Sequence, residues 1–275
     1  MKIDSHQHFW NYDPVKDAWI TDEMRVLKND FYPPDVWPLM QVNGIDGCVA
    51  VQADQSEQET HFLLELAEKN DWIKGVVGWV DLRADDIAER LAYFSQFKKL
   101  KGFRHIVQAE PEDDFLLRED FCRGIALLST YSFTYDILIY PKHLKYALKF
   151  VEKFPEQKFI IDHLAKPFIK TGAIAEWKKD LAPFAGYNQV YCKMAGLVTE
   201  ADWQHWTLAD FTPYVKTVLD IFGSDRVVFG TDWPVCLTGA SYAQVCAIMD
   251  SASSFLGESD KAKLWGANCA RFYNL

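Results

Sequence analysis

The sequence predicts a (β/α)8 TIM barrel, a single domain over residues 1–275. Three observations carry that reading. Short runs rich in β-branched and aromatic residues recur eight times, and stretches with apolar residues at three-and-four spacing lie between them. The first turn reads His-Gln-His, not the glycine-rich turn that opens a doubly wound sheet. The length suits one barrel, and an apolar fraction of 49% supplies its core.

Taken in order, the strands fall at 2–8, 46–52, 74–81, 100–107, 133–139, 158–163, 189–194 and 226–231. Helical periodicity is plain at 60–70, 85–97, 143–154, 211–222 and 242–255. The longest irregular stretch, 10–38, is rich in Pro, Asp and Trp. Because it follows the first strand, it belongs on the face where barrel active sites form, and it is expected to wall part of a pocket. No linker or low-complexity tract divides the chain.

A net charge of −10 without any long basic run argues against a nucleic-acid partner. Six scattered cysteines with no C-x-x-C spacing read as small buried hydrophobes. The first strand starts within three residues of Met1, so no apolar leader precedes it. Nor does any apolar run reach the roughly 18 residues that span a bilayer. A cytoplasmic protein without a membrane partner is expected; the oligomeric state is not legible.

Chemistry in a barrel comes from the C-terminal ends of several strands. His6 and His8 alternate along the first strand and so point the same way, able to grip one divalent metal or flank one substrate. The other strand ends offer Gln52, Trp79 and Asp81, Arg104 and His105, Asp136, Asp162-His163, Lys193 and Asp232. Asp162, out of phase with His163, is expected to point outward or to support a neighbour. Lys193 reads equally as a buried-charge partner and as a substrate-binding group. His61, His143 and His205 read as structural. The abundance of Trp and Tyr would suit flat apolar walls for a sugar ring.

Several longer segments are more particular: 4–10 (DSHQHFW), 101–108 (KGFRHIVQ), 162–167 (DHLAKP), 196–203 (GLVTEADW), 229–236 (FGTDWPVC) and 268–273 (NCARFY). Through them the whole chain resembles the amidohydrolase superfamily, in the branch of sugar-acid lactonases that includes L-fuconolactonases and L-rhamnonolactonases. The resemblance implies a lactone-opening hydrolase acting on a small-molecule sugar lactone. It places His6, His8 and His163 at the metal position, with Asp232 as the carboxylate that activates water, all four being catalytic. Two-metal members carry a carboxylated lysine or a glutamate at the end of the fourth strand, where this chain has Arg104-His105. One divalent ion at most is therefore implied, zinc by its donors, with a metal-free site left open. Arg104, His105 and Lys193 would bind the sugar's carbonyl and hydroxyls, and Trp10 and Trp79 would wall the pocket. The rival readings are a metal-dependent decarboxylase of the same superfamily and a catalytically silent sugar-binding barrel.

Overall fold

A computed structural model describes residues 1–275. Eight strands, β1 (Ile3–Gln7), β2 (Gly47–Val51), β3 (Ile73–Gly78), β4 (Leu100–His105), β5 (Thr134–Ile137), β6 (Phe159–Ile161), β7 (Val190–Met194) and β8 (Val227–Phe229), pair in sequence order. Every pairing is parallel. The ring closes past β8, where the His8 amide donates to the Trp233 carbonyl at 2.7 Å and the Asp232 amide to the His6 carbonyl at 2.9 Å. The predicted (β/α)8 barrel is the observed fold.

The helices are α1 (Pro33–Val42), α2 (Glu57–Lys69), α3 (Ile87–Phe94), α4 (Glu119–Leu128), α5 (Leu144–Lys153), α6 (Ala175–Leu181), α7 (Leu208–Phe222), α8 (Tyr242–Ala252), α9 (Glu258–Ala262) and α10 (Asn268–Tyr273). None is long and apolar enough to cross a membrane. Five of them, α1, α4, α6, α9 and α10, escaped the periodicity reading, and the first three did so for local reasons. α1 begins inside the stretch expected to be irregular, because Pro33 and Pro34 occupy the first helical turn, where a missing N–H costs nothing. In α4, Gly124 interrupts the apolar stripe because the helix runs against the Leu82 carbonyl, and a Cβ there would lie 2.1 Å from that oxygen. α6 is only seven residues long, too short for a periodic signal.

Strands buried on both faces read as continuous apolar runs, which is why they were legible. Outward-facing side chains pack against the helices in the larger core. Inward-facing Ile3, Val49, Val51, Val77, Ile160 and Val228 form a separate cluster inside the ring. Cys269, Phe272 and Tyr273 of α10 complete that cluster and close the bottom of the barrel. The terminal helix is thus part of the barrel interior. Phe272, 1% exposed, has no other place to bury its ring. Phe272→Ala should lower unfolding free energy by about 3–5 kcal/mol, the usual cost of deleting a buried ring. Urea denaturation measures it, and a loss below about 1 kcal/mol would show that α10 is only a lid.

Candidate active site

Above the apolar floor, inward positions turn ionic. Arg104 on β4, Asp136 on β5, Lys193 on β7 and Asp162 just past β6 face one another, each no more than 4% exposed. Lys193 Nζ lies 2.6 Å from Asp136 Oδ2, 2.9 Å from Asp162 Oδ1 and 3.1 Å from His6 Nδ1. Arg104 Nη1 stands 3.1 Å from Asp162 Oδ2 and 3.1 Å from His6 Nε2. Its Nε and Nη2 donate to Gln52 Oε1 at 3.2 and 2.9 Å, and Nη2 also donates to the Gln52 carbonyl. Four of the five guanidinium N–H groups are therefore accepted by Gln52 and Asp162, and the fifth faces His6 Nε2. Asp136 Oδ2 takes a further hydrogen bond from the Tyr273 hydroxyl at 2.7 Å. Burial alone would strip the Lys193 proton, but Asp136 and Asp162 outweigh it and hold the ammonium charged.

The histidines rest on this layer. A register shift in β1 between Asp4 and Gln7 breaks strict alternation. Asp4 and Gln7 bond to each other at 2.8 Å beside Tyr242 of α8, while His6 and His8 both face inward. Their Nε2 atoms are 3.1 Å apart, so the expected shared face holds. His8 Nδ1 lies 2.7 Å from the Val51 carbonyl, which only accepts, so His8 carries its proton on Nδ1 and offers Nε2 to the cavity. Asp232 Oδ1 stands 3.3 Å from that Nε2 and 3.8 Å from His6 Nε2. Burial, followed by the Lys193 cation, keeps His6 neutral by depressing its pKa well below the ordinary range.

His163 reaches the site by an unusual backbone. Residues His163, Leu164, Ala165 and Lys166 all have φ between 53° and 57°, a complete left-handed turn without glycine. Such residues cost roughly 1–2 kcal/mol each. The turn is tied by the Lys166 amide donating to the His163 carbonyl at 2.7 Å. Gly196, itself at φ 64°, backs the His163 ring, and a Cβ there would lie 2.6 Å from Nδ1. Burial lowers the His163 pKa to about 3. Asp232 also sits at positive φ, 62°. Burial pushes its carboxyl upward, but His163, His8 and Lys166 more than offset this and leave it below the usual carboxylate range.

A cavity of about 400 Å³ opens on this face, bounded by His8, Arg104, His163, Lys166 and Asp232 on its polar side. Tyr140, Trp19 and Leu138 are among its apolar walls. His6 lies fully buried just beneath. The other expected substrate groups are elsewhere. His105 alternates with Arg104 and so faces outward, stacked on Phe115 with Nε2 2.6 Å from Glu110. Trp79 donates to the outward His105 at 3.2 Å. Trp10 lines a smaller neighbouring cavity of about 260 Å³ and abuts Trp19. Lys193, 0% exposed and engaged by three acceptors, takes the first of its two readings, the buried-charge partner. Asp162, expected outward or in support, points inward as the shared anion of Arg104 and Lys193. The sequence reading did not assign Lys166, Tyr140 or Trp19, although Lys166 lies inside the distinctive 162–167 segment. Strand alternation beyond Asp162 would have hidden it; only the left-handed turn brings it in.

Two overlapping sets of side chains have ligand atoms within 4.8 Å of one another: His6, His8 and Asp232, and His6, Asp162 and His163. The four residues expected as one ligand set are thus divided between them, with His6 in common.

The chain is recognised over residues 3–275 by the family pattern described as amidohydrolase. It is 39% identical to an L-fucono-1,5-lactonase of Burkholderia multivorans, over 100% of this chain and 96% of that one. An L-fucono-1,5-lactonase of Burkholderia ambifaria is 32% identical over 100% of this chain and 96% of its own. The crystal structure of an amidohydrolase from Burkholderia multivorans with bound zinc superimposes with a TM-score of 0.97 at 39% identity, covering 100% and 99% of the two chains.

Lys193 is the hub of the ionic layer, and its removal would leave Asp136 and Asp162 buried with one cation between them. Lys193→Met should therefore destabilise the protein by about 3–5 kcal/mol, as breaking a buried pair does. Chemical denaturation reads this directly, and a change within about 0.5 kcal/mol would mean the layer contributes nothing to folding.

Proposed function

Because the chain belongs to the amidohydrolase family, we propose that its cavity opens a sugar-acid lactone, of the L-fuconolactone or L-rhamnonolactone type, to the free acid. The observation that carries this reading is Asp232, a carboxylate kept ionised while fully enclosed, 3.3 Å from His8 Nε2 at the edge of a cavity sized for one sugar ring. Relatives at 39% and 32% identity bear lactonase names, which supports the same chemistry.

A lactone is a cyclic ester. Water adds to the carbonyl carbon, the bond from that carbon to the ring oxygen breaks, and one proton travels from water to the departing alkoxide. Asp232 takes the water proton and returns it to the ring oxygen. His8 and His163 stand beside it, His163 kept neutral by its burial, and His6 supports them from the ionic layer. Tyr140, Trp19 and Leu138 provide an apolar wall for the ring's less polar face. The decarboxylase and the silent sugar-binding barrel gain no support, since the named full-length relatives are lactonases and an enclosed base has no use in a binder.

A divalent metal suits the donor set. His6, His8 and Asp232 offer two nitrogens and an oxygen within 4.8 Å, with His163 nearby, its ring centroid 4.5 Å from that of His6. These four residues would hold the ion, and zinc matches their mixed nitrogen and oxygen donors. Such an ion lowers the pKa of water and polarises a carbonyl. Only one fits. The Arg104 guanidinium stands 3.1 Å from His6 Nε2, placing a fixed cation beside the histidine pair.

Purified protein should therefore contain no more than one equivalent of zinc by elemental analysis. Two tightly bound ions per chain would contradict the charge argument. Proton release on adding L-fuconolactone or L-rhamnonolactone should exceed spontaneous opening, and Asp232→Asn should cut turnover by about 10² to 10⁴ with little change in melting temperature. A stable Asp232→Asn protein keeping more than about a tenth of the turnover would remove Asp232 from the role of base.

A further inference from the structure

The cavity holds two cations, and only one is free. Arg104 has four of its five N–H groups committed to Gln52 and Asp162 and the fifth turned on His6, so it cannot turn toward a substrate without breaking the ionic layer. Lys166 differs. Its side chain is 17% exposed, and its nearest carboxylate oxygen, on Glu200, is 3.7 Å from Nζ, beyond ordinary hydrogen-bond length. The Tyr140 ring lies 5.6 Å from the ammonium and restricts it from one side. Lys166 and Asp232 line the same cavity, and the left-handed turn that delivers His163 ends at Lys166.

Glu200, its side chain 21% exposed, sits in the segment after β7, four residues beyond the Gly196 that backs His163. Two of the distinctive sequence segments, 162–167 and 196–203, therefore meet at one ion pair on the cavity wall. A strained turn without glycine and a partly buried acid together hold one ammonium, free of any short hydrogen bond, at the wall of the reaction space. That arrangement is what an ester hydrolysis needs opposite its base: a fixed donor for the carbonyl oxygen as it becomes anionic.

We infer that Lys166 Nζ donates to the lactone carbonyl oxygen in the transition state, with Glu200 as the positioning residue that holds it; this rests on the lactonase reading. No proton need be transferred. The ammonium bears a hydrogen bond and a charge, while the proton from water still travels through Asp232 to the ring oxygen.

The test compares wild type, Lys166→Met, Lys166→Arg and Glu200→Gln on the lactone that wild type opens fastest, with kcat and KM measured separately. Lys166→Met should lose about 10² to 10³ in kcat with KM changed less than about threefold, the usual result of removing one oxyanion donor. Lys166→Arg should recover part of that loss, and Glu200→Gln should show a smaller fall in kcat. Added methylammonium should restore turnover to Lys166→Ala, which a merely structural role would not allow. A kcat within tenfold of wild type in Lys166→Met would overturn the assignment. So would a rise in KM alone, which would make Lys166 a binder of sugar hydroxyls. Should Lys166→Met fail to fold, Lys166→Arg and Glu200→Gln decide, wild-type kcat in both overturning it. If wild type opens no lactone, the lactonase reading itself has failed. If wild type turns over and Asp232→Asn is inactive while Lys166→Met is not, only the present inference falls.

Discussion

Four full charges are enclosed in the barrel beneath His6, and the geometry of the site follows from how they are neutralised. Arg104 and Lys193 face Asp136 and Asp162 with no more than 4% exposure on any of them. Taking each ion out of water costs several kcal/mol, so such a layer survives only if its partners are close and its donors satisfied. Here the sum of charge is zero, and the cation N–H groups have acceptors in Gln52, Asp136, Asp162 and His6 except for the one on Arg104 that faces His6 Nε2. The consequence for His6 is strict. With cationic donors 3.1 Å from both ring nitrogens, it must stay neutral, and its ring cannot rotate without breaking two contacts. His8, 3.1 Å away at Nε2, and then Asp232 are positioned from it in turn.

Precision at the base comes from a second constraint, barrel closure. Asp4 accepts from the Thr231 amide at 2.9 Å, from the Thr231 hydroxyl and from the Tyr242 hydroxyl at 3.0 Å. That carboxylate on β1 therefore grips the residue just before Asp232, and the Asp232 amide bonds back to the His6 carbonyl. The base and the histidine pair are fastened to one another through backbone, not only through side chains. Such rigidity is what keeps an acid within productive distance of water over many turnovers.

Much of this was legible in the sequence. Eight strands with buried faces, the inward histidine pair and the acid closing the last strand all follow from periodicity and barrel geometry. The helices α1, α4 and α6 were hidden by proline at a first turn, a glycine under close approach, and short length. Assignments at β4 and β7 required knowing which way alternate residues face: Arg104 and Lys193 point inward but are spent on carboxylates, and His105 points out toward Phe115. The left-handed turn at 163–166 lay beyond reach, since nothing in its composition forecasts four successive positive φ angles. It is also what brings Lys166 into the cavity, so the group missed by the sequence reading depends on the backbone feature that was missed.

The central claim is that Asp232 is held as a base and does not itself attack. A single turnover in H₂¹⁸O, with enzyme in excess over lactone, tests this most directly. Mass spectrometry of the product and of the peptide containing Asp232 should find the heavy oxygen in the product carboxylate and none in the protein. Unlabelled product together with ¹⁸O in Asp232 would show that the aspartate had formed a covalent acyl intermediate, and would contradict the account.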